Sequence, residues 1–301
     1  AAVGSTFTND GLLTENSSGF SSITNNTGIV QNLGGGAFNI ANNTGVLTSN
    51  PGPQTACCPP ANIFYVNAAA TGANNGSSWA DAFTDLQNAL NSPCTGITQI
   101  WVAEGTYKPT SGTNRSISFH MKNGVEILGG FPNTGDPGLG DRDWAAHVTT
   151  LIGEIGAAGM TDNTLNIIKN TGLNLNATAV IDGFQIAFAN GTNVRGGGIE
   201  NGNNSSPTIR NCTFLSNSAS YGGAINNNLN CSPTITNCTF TDNQATLSGG
   251  AVMCESGSAP TFDSCTFSNS SAVRYGGAIF LQASTMNATN CTFSNNRATE
   301  P

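Results

Sequence analysis

Asn211-Cys212-Thr213-Phe214 is the first of four related tetrapeptides in the second half of the chain. The others are Asn237-Cys238-Thr239-Phe240, Ser264-Cys265-Thr266-Phe267 and Asn290-Cys291-Thr292-Phe293. Their cysteines are 26, 27 and 26 residues apart, and Gly-Gly motifs beginning at Gly196, Gly222, Gly249 and Gly276 keep nearly the same period. Motifs that share one period indicate a structural repeat.

This period predicts a solenoid of short β-strands. Three short strands and three turns fill about 26 residues, which is one coil of a parallel β-helix. Equivalent residues of stacked coils lie above one another, about 4.8 Å apart. Cys and Phe alternate with Thr, so we expect both to point inward, while Asn211, Asn237 and Asn290 suit the left-handed conformation of a turn. The predicted core ladders are Cys212, Cys238, Cys265, Cys291, Phe214, Phe240, Phe267 and Phe293.

The rhythm of the repeat resembles right-handed parallel β-helix proteins of the pectin-lyase-like superfamily, with repeats like those of polymorphic outer-membrane proteins. Residues 61–210 are similar to the front part of secreted β-helix proteins of Bacteroidetes. The segments that carry this second likeness are Phe64-Tyr65-Val66-Asn67, Asn75–Trp79, Ile100–Tyr107, Gly129-Gly130-Phe131, Asp141-Arg142-Asp143-Trp144 and Ile181-Asp182-Gly183-Phe184. The resemblance implies an all-β fold, and it leaves function open because this fold carries lyases, hydrolases, adhesins and stalks.

The chain divides into three predicted segments. Residues 1–50 repeat every 17 residues at Asn9, Asn26 and Asn43, which predicts either a compact two-sided solenoid or three extended arms. Residues 51–60, rich in Pro and Cys, predict a stiff linker. Residues 61–301 form the predicted β-helix, with regular coils over 171–301 and a helix over 79–91 that covers its open hydrophobic end. Further strands are predicted at 100–102, 116–119, 125–128, 150–152 and 165–168.

Composition narrows the class of protein. Only 9% of the residues are charged and the net charge is −8, which argues against binding to nucleic acid. No apolar run approaches the roughly 20 residues of a membrane span. Low charge with abundant Asn, Thr, Ser and Gly favours an extracellular or cell-surface protein.

Ionisable residues are too few in the repeat to predict catalysis. Glycoside hydrolysis needs two carboxylates roughly 5–10 Å apart. Asp182 and Arg210 fall on equivalent positions of adjacent coils, which predicts a salt bridge between coils. His120 and His147 have no Ser or Cys motif beside them, so we expect structural roles. We therefore expect no catalytic residue, and a polysaccharide lyase or hydrolase is the enzyme alternative.

Acidic residues and cysteines supply the remaining candidate sites. Asp136, Asp141 and Asp143 are weak candidates for a Ca²⁺ site, the one cofactor considered, although Arg142 between them favours an internal salt bridge. Nine cysteines leave at least one thiol unpaired within a chain. The preferred disulfide is Cys231 with Cys254, and the second is Cys94 with either Cys57 or Cys58.

The leading functional hypothesis is a structural subunit of an extracellular filament or surface layer. No helix or charged cap is predicted after Phe293, so we expect an uncovered last coil that stacks head to tail on another copy. Residues 1–50 could instead donate strands to a neighbour. The predicted interface residues are Phe7, Leu12, Ile23, Ile29, Ile40, Val46, Cys291 and Phe293. The alternatives are a glycan-binding or glycan-cleaving β-helix, with a cleft of acids and cations along one sheet, and a fragment of a surface adhesin.

Overall fold

A computed structural model describes the backbone of six strands between Thr6 and Ser49, then Pro59, residues 61–157 and residues 159–300. The chain folds as two compact units, Ala1–Cys57 and Cys58–Pro301. The described part of the second unit consists of strands, the helix Leu86–Leu90 and the 3₁₀ turn Leu139–Asp141.

The six strands of the first unit form two parallel three-stranded sheets. One sheet contains Thr6–Asn9, Ser21–Asn26 and Phe38–Asn43, and the other contains Leu12–Glu15, Ile29–Asn32 and Val46–Ser49. Leu12 pairs with Ile29, and Ile29 pairs with Val46. Strands 16 or 17 residues apart in sequence therefore pair with each other within each sheet.

Parallel strands of successive coils build four sheets in the second unit. The eight-stranded sheet contains Ile63–Val66, Gln99–Ala103, Glu126–Phe131, Val180–Asp182, Thr208–Arg210, Thr234–Thr236, Thr261–Asp263 and Asn287–Thr289. The seven-stranded sheet contains Gly105–Tyr107, Thr149–Ile152, Phe184–Ala187, Thr213–Leu215, Thr239–Thr241, Thr266–Ser268 and Thr292–Ser294. The five-stranded sheet contains Ile168–Lys169, Ile199–Gly202, Ile225–Asn228, Val252–Glu255 and Ile279–Gln282. The four-stranded sheet contains Ser218–Tyr221, Gln244–Ser248, Ser271–Ala272 and Arg297–Ala298.

This architecture confirms the predicted all-β, right-handed parallel β-helix. The three coils that begin at Thr208, Thr234 and Thr261 contribute four strands each instead of the three predicted, because a short strand such as Ser218–Tyr221 precedes the Gly-Gly motif. Between the eight- and seven-stranded sheets, Asn211, Asn237 and Asn290 have φ angles of 54°, 51° and 54°. Asn tolerates this left-handed conformation, which turns the chain from one sheet into the next.

The interior is a continuous stack of apolar side chains. Phe214, Phe240 and Phe267 are fully buried and stack on one another, and Cys212, Cys238 and Cys265 line the same core. At the start of the β-helix, Leu86, Ala89 and Leu90 of the helix bury their side chains in this core.

The helix and two strands differ from the sequence prediction. The prediction of a helix over 79–91 is wrong over its first half. Phe83 pairs with Val66 as a β-bridge, and Asp85 caps a helix that begins only at Leu86. The predicted strand 116–119 is reduced to one bridge, Phe119 with Ile168, and the strand predicted over 165–168 lies at Ile168–Lys169.

A second, smaller hydrophobic cluster lies on the outer face of the eight-stranded sheet. Trp101 stacks on Phe131 with a centroid distance of 4.8 Å, and Trp79 packs beside both rings. The Trp79 Nε1 donates a hydrogen bond of 2.8 Å to the carbonyl oxygen of Pro137. This cluster therefore anchors the loop that follows Phe131 against the sheet, and the loop carries part of the site described below.

Candidate functional site

Strand register brings charged side chains together on the outer face of the eight-stranded sheet. Leu128 pairs with Asp182, and Asp182 pairs with Arg210. In the next row Gln99 pairs with Glu126. These rows border a cavity of about 240 Å³, whose lining residues are Gln99, Glu126, Leu128, Leu139, Arg142, Trp144, Asp182 and Arg210.

Asp182 lies at the centre of this charged group. Its Oδ1 is 2.6 Å from the Arg142 Nη2, and its Oδ2 is 2.6 Å from the Arg210 Nε. Asn211 donates a further hydrogen bond of 2.8 Å to Oδ1. The bridge between Asp182 and Arg210 joins adjacent coils, as the sequence predicts.

Two opposing effects set the pKa of Asp182. Burial favours the neutral acid and raises the pKa, since the side chain is only 4% exposed. Hydrogen bonds from Arg142, Asn211 and Arg210, together with the charge of Arg142, outweigh burial, so the pKa falls below its ordinary value. Asp182 is therefore a carboxylate held by two guanidinium groups.

Arg142 comes from the loop that the aromatic cluster anchors. Its guanidinium donates hydrogen bonds to the carbonyl oxygens of Gly129 and Asp182, besides the ion pair. A Cβ at Gly183 would collide with the Arg142 Nη2, so glycine at this position admits the arginine. The guanidinium also lies 5.0 Å from the ring centroid of Trp144, whose side chain is 40% exposed at the cavity.

A second cavity lies beside the first on the same sheet, and we call the two cavities together the groove. The Arg210 Nη2 lies 3.3 Å from the Glu126 Oε1, and the Gln99 Nε2 donates a hydrogen bond of 2.9 Å to Oε2. These three side chains also line a neighbouring cavity of about 410 Å³, which continues past Thr178 and Thr208. The groove therefore presents an aromatic ring, two guanidinium groups and two carboxylates.

The structure does not bring the predicted Ca²⁺ ligands together. The Asp141 Oδ2 accepts a hydrogen bond from the Gly138 amide, and the Asp143 Oδ1 accepts from the amides of Ala145 and Ala146. No group of three His, Cys, Asp or Glu able to hold a metal occurs among the described residues, so these two residues and Asp136 do not form one site. Arg142 forms its ion pair with Asp182, on a distant strand, and not with its neighbours.

The predicted disulfide between Cys231 and Cys254 is wrong, because both are buried free thiols. Cys254 stands level with Asn227 on the preceding coil. The Cys231 amide instead donates to the Ser258 hydroxyl, so the two cysteines are out of register. Burial raises the pKa of Cys254 to about 12, which keeps it protonated at neutral pH.

The other cysteines follow two patterns. Cys94 is disulfide-bonded, while its predicted partners, Cys57 and Cys58, lie outside the described residues, so the pairing stays a prediction. Each thiol of the predicted ladder lies within hydrogen-bond distance of a carbonyl oxygen two residues earlier, for example Cys238 with Thr236 at 3.3 Å. Such thiols act as small core side chains.

The remaining predicted residues lie apart from the groove. The His120 Nδ1 is 2.6 Å from the Lys169 carbonyl oxygen, and the His147 Nδ1 is 3.1 Å from the Glu104 Oε2. Cys291 is partly buried, and Phe293 is 48% exposed. The side chains of the other predicted interface residues, Phe7, Leu12, Ile23, Ile29, Ile40 and Val46, lie outside the described residues.

A second charged cluster, which sequence reasoning missed, lies on the five-stranded sheet. The Arg195 Nε is 2.7 Å from the Glu255 Oε1, and the Asn226 Nδ2 donates a hydrogen bond of 3.1 Å to the same oxygen. The buried Asn226 Oδ1 accepts no hydrogen bond. The cluster borders neither of the two cavities of the groove.

Comparison with known proteins bears on the fold. Residues 152–299 match a family model described as a right handed beta helix region. The chain therefore has the right-handed β-helix fold. No curated protein and no solved structure matches it. In the described part of this β-helix protein, no helix has the length and apolar character needed to cross a membrane.

Proposed function

We propose that the β-helix protein binds a saccharide chain in the groove of the eight-stranded sheet. The observation that carries this proposal is the exposed Trp144 ring beside paired guanidinium and carboxylate groups in one elongated groove. A glycan-binding β-helix is one of the alternatives predicted from the sequence, and it requires such a cleft of acids and cations along one sheet.

The chemistry of the groove suits sugars. An aromatic ring offers a large apolar face with little conformational entropy to lose, and a sugar ring can stack on it. Arg210 is 39% exposed and Glu126 is 35% exposed, so a donor and an acceptor for sugar hydroxyls stand side by side. Ligand sites typically combine an apolar surface with a few fixed polar groups.

The ion pairs favour binding over turnover. A general acid in glycoside hydrolysis needs a raised pKa. The pKa of Asp182 is lowered, and Glu126 is paired with Arg210 and Gln99. We therefore place the protein with binding proteins. The filament, surface-layer and adhesin roles, and the extracellular location, stay predictions.

Isothermal titration calorimetry tests the proposal with neutral and uronic-acid oligosaccharides of several linkages. We expect at least one to bind the full chain, and Trp144→Ala to weaken its affinity about tenfold, or roughly 1.4 kcal/mol. Tyr275→Ala is the matched control, because Tyr275 is 51% exposed and lines neither cavity of the groove. Absence of binding to every oligosaccharide, or equal weakening by both variants, would overturn the proposal.

A further inference from the structure

The outer face of the seven-stranded sheet carries threonines in register on successive coils. Its first row is Thr106, Thr150, Gln185, Thr213, Thr239, Thr266 and Thr292. Its second row is Ile152, Ala187, Leu215, Thr241, Ser268 and Ser294. None of these residues is charged. We call these two rows the threonine face.

The coils that carry the threonine face are evenly spaced. On the same strands, Phe214, Phe240, Phe267 and Phe293 stack with centroid distances of 4.8, 4.6 and 4.8 Å. Their interplanar angles are 3°, 6° and 5°. The rings therefore lie nearly parallel and recur at an even spacing along the coils. The hydroxyl and methyl groups on the outer side of these strands therefore recur in register at the same even spacing.

A regular lattice matches a regular ligand. We propose that the threonine face binds the surface of ice. The repeat of the coils, 4.6–4.8 Å at the phenylalanine stack, is close to the repeat of water molecules along the a axis of hexagonal ice. Threonine hydroxyls can hydrogen-bond the lattice water, while their methyl groups fit between these water molecules.

Side-chain rigidity and the lack of charge favour the same ligand. The χ1 angle of threonine is restricted by β-branching, so little rotamer entropy is lost when the side chain meets a solid surface. A charged side chain would have to give up its hydration shell at an ice surface, which is unfavourable. The site lies on a different sheet from the groove, so the inference does not depend on saccharide binding.

Thermal hysteresis, measured by cryomicroscopy of single ice crystals, tests the proposal on the full chain. We expect the protein to lower the freezing point below the melting point and to facet the crystals. The double variant Thr239→Lys and Thr266→Lys should lose both effects. The matched control is Thr234→Lys with Thr261→Lys, which adds the same charges on the same coils but on the eight-stranded sheet. It should keep both effects.

Three results would overturn the proposal. The first is the absence of hysteresis and faceting with the unmodified chain, which needs no variant. The second is hysteresis that persists in the threonine-face variant. Loss of hysteresis in both variants, with circular dichroism showing that both are folded, would count equally against the proposal. The third is adsorption to crystalline cellulose without hysteresis, which would assign the face to a polysaccharide crystal.

Discussion

The eight- and seven-stranded sheets are built from the same coils around the same interior, yet their outer faces differ. The first carries Asp182, Arg210 and Glu126 beside a loop that encloses a groove. The second carries rows of uncharged residues in register. The inward positions repeat on both sheets, so they specify the fold. The outward positions are free to differ, and they carry the candidate functions.

The two faces also draw on different parts of the chain. The groove depends on the irregular early coils, where the segment after Phe131 supplies Arg142 and Trp144. The regular part of the threonine face depends on the later coils, whose period of 26 or 27 residues places Thr213, Thr239 and Thr266 in register. Irregularity therefore makes a concave site for a discrete ligand, and regularity makes a lattice.

Removing the core beneath the threonine face should have the largest effect. Phe240→Ala deletes a fully buried ring between two stacked neighbours, and such changes destabilise proteins by about 4 kcal/mol. Urea denaturation followed by circular dichroism measures the change. Phe293→Ala is the control, since its ring is already 48% exposed and stacks on one side only. Equal losses in both variants would show that the stack does not hold the coils together.

Breaking the ion pairs of the charged face should come next. Asp182→Ala leaves Arg142, whose side chain is only 9% exposed, without its carboxylate, and such a loss destabilises proteins by about 3 kcal/mol. Asp263→Ala is the control, because Asp263 occupies the same outward row three coils further on and contacts Thr289 and Asn290 without an arginine. It should change the denaturation midpoint little. An Asp182 variant as stable as the control would mean that the ion pairs do not organise the groove.

The fold could be predicted from the sequence because the residues of the inner ladders recur at the period of the repeat. Cys and Phe alternate with Thr at a fixed period. The sequence therefore predicts which residues of the later coils point inward and which residues pair between coils. The fourth strand of each coil was missed, since Ser218–Tyr221 has no apolar alternation. The helix was predicted too long, because Ala82 and Phe83 fit a helical pattern while Phe83 pairs with Val66 of the strand Ile63–Val66.

The groove was predicted only as the pair Asp182 and Arg210. Leu128 and Asp182 are neighbours in space but 54 residues apart in sequence, twice the period of the regular coils. The intervening coil is lengthened by the loop that carries Arg142, so register could not be counted across it. The alternation of inward and outward side chains along each strand could have predicted the site. Glu126, Asp182 and Arg210 each lie next to an inward isoleucine, so each points outward.

The pH dependence of stability should differ between variants on the two faces, and this effect should be smaller than the two above. The folded-state pKa of Asp182 is below its unfolded value, so its stabilising contribution is complete above the unfolded pKa of about 3.9. That contribution is lost as the pH falls through the lowered folded pKa. The gap in unfolding free energy between the unmodified protein and Asp182→Asn should therefore narrow on acidification from neutral pH. Thr239→Val, on the threonine face, neither adds nor removes a titrating group. Its difference in unfolding free energy from the unmodified protein should therefore stay constant over the same series of urea denaturations. A constant gap for Asp182→Asn as well would show that the ionised carboxylate does not stabilise the charged face.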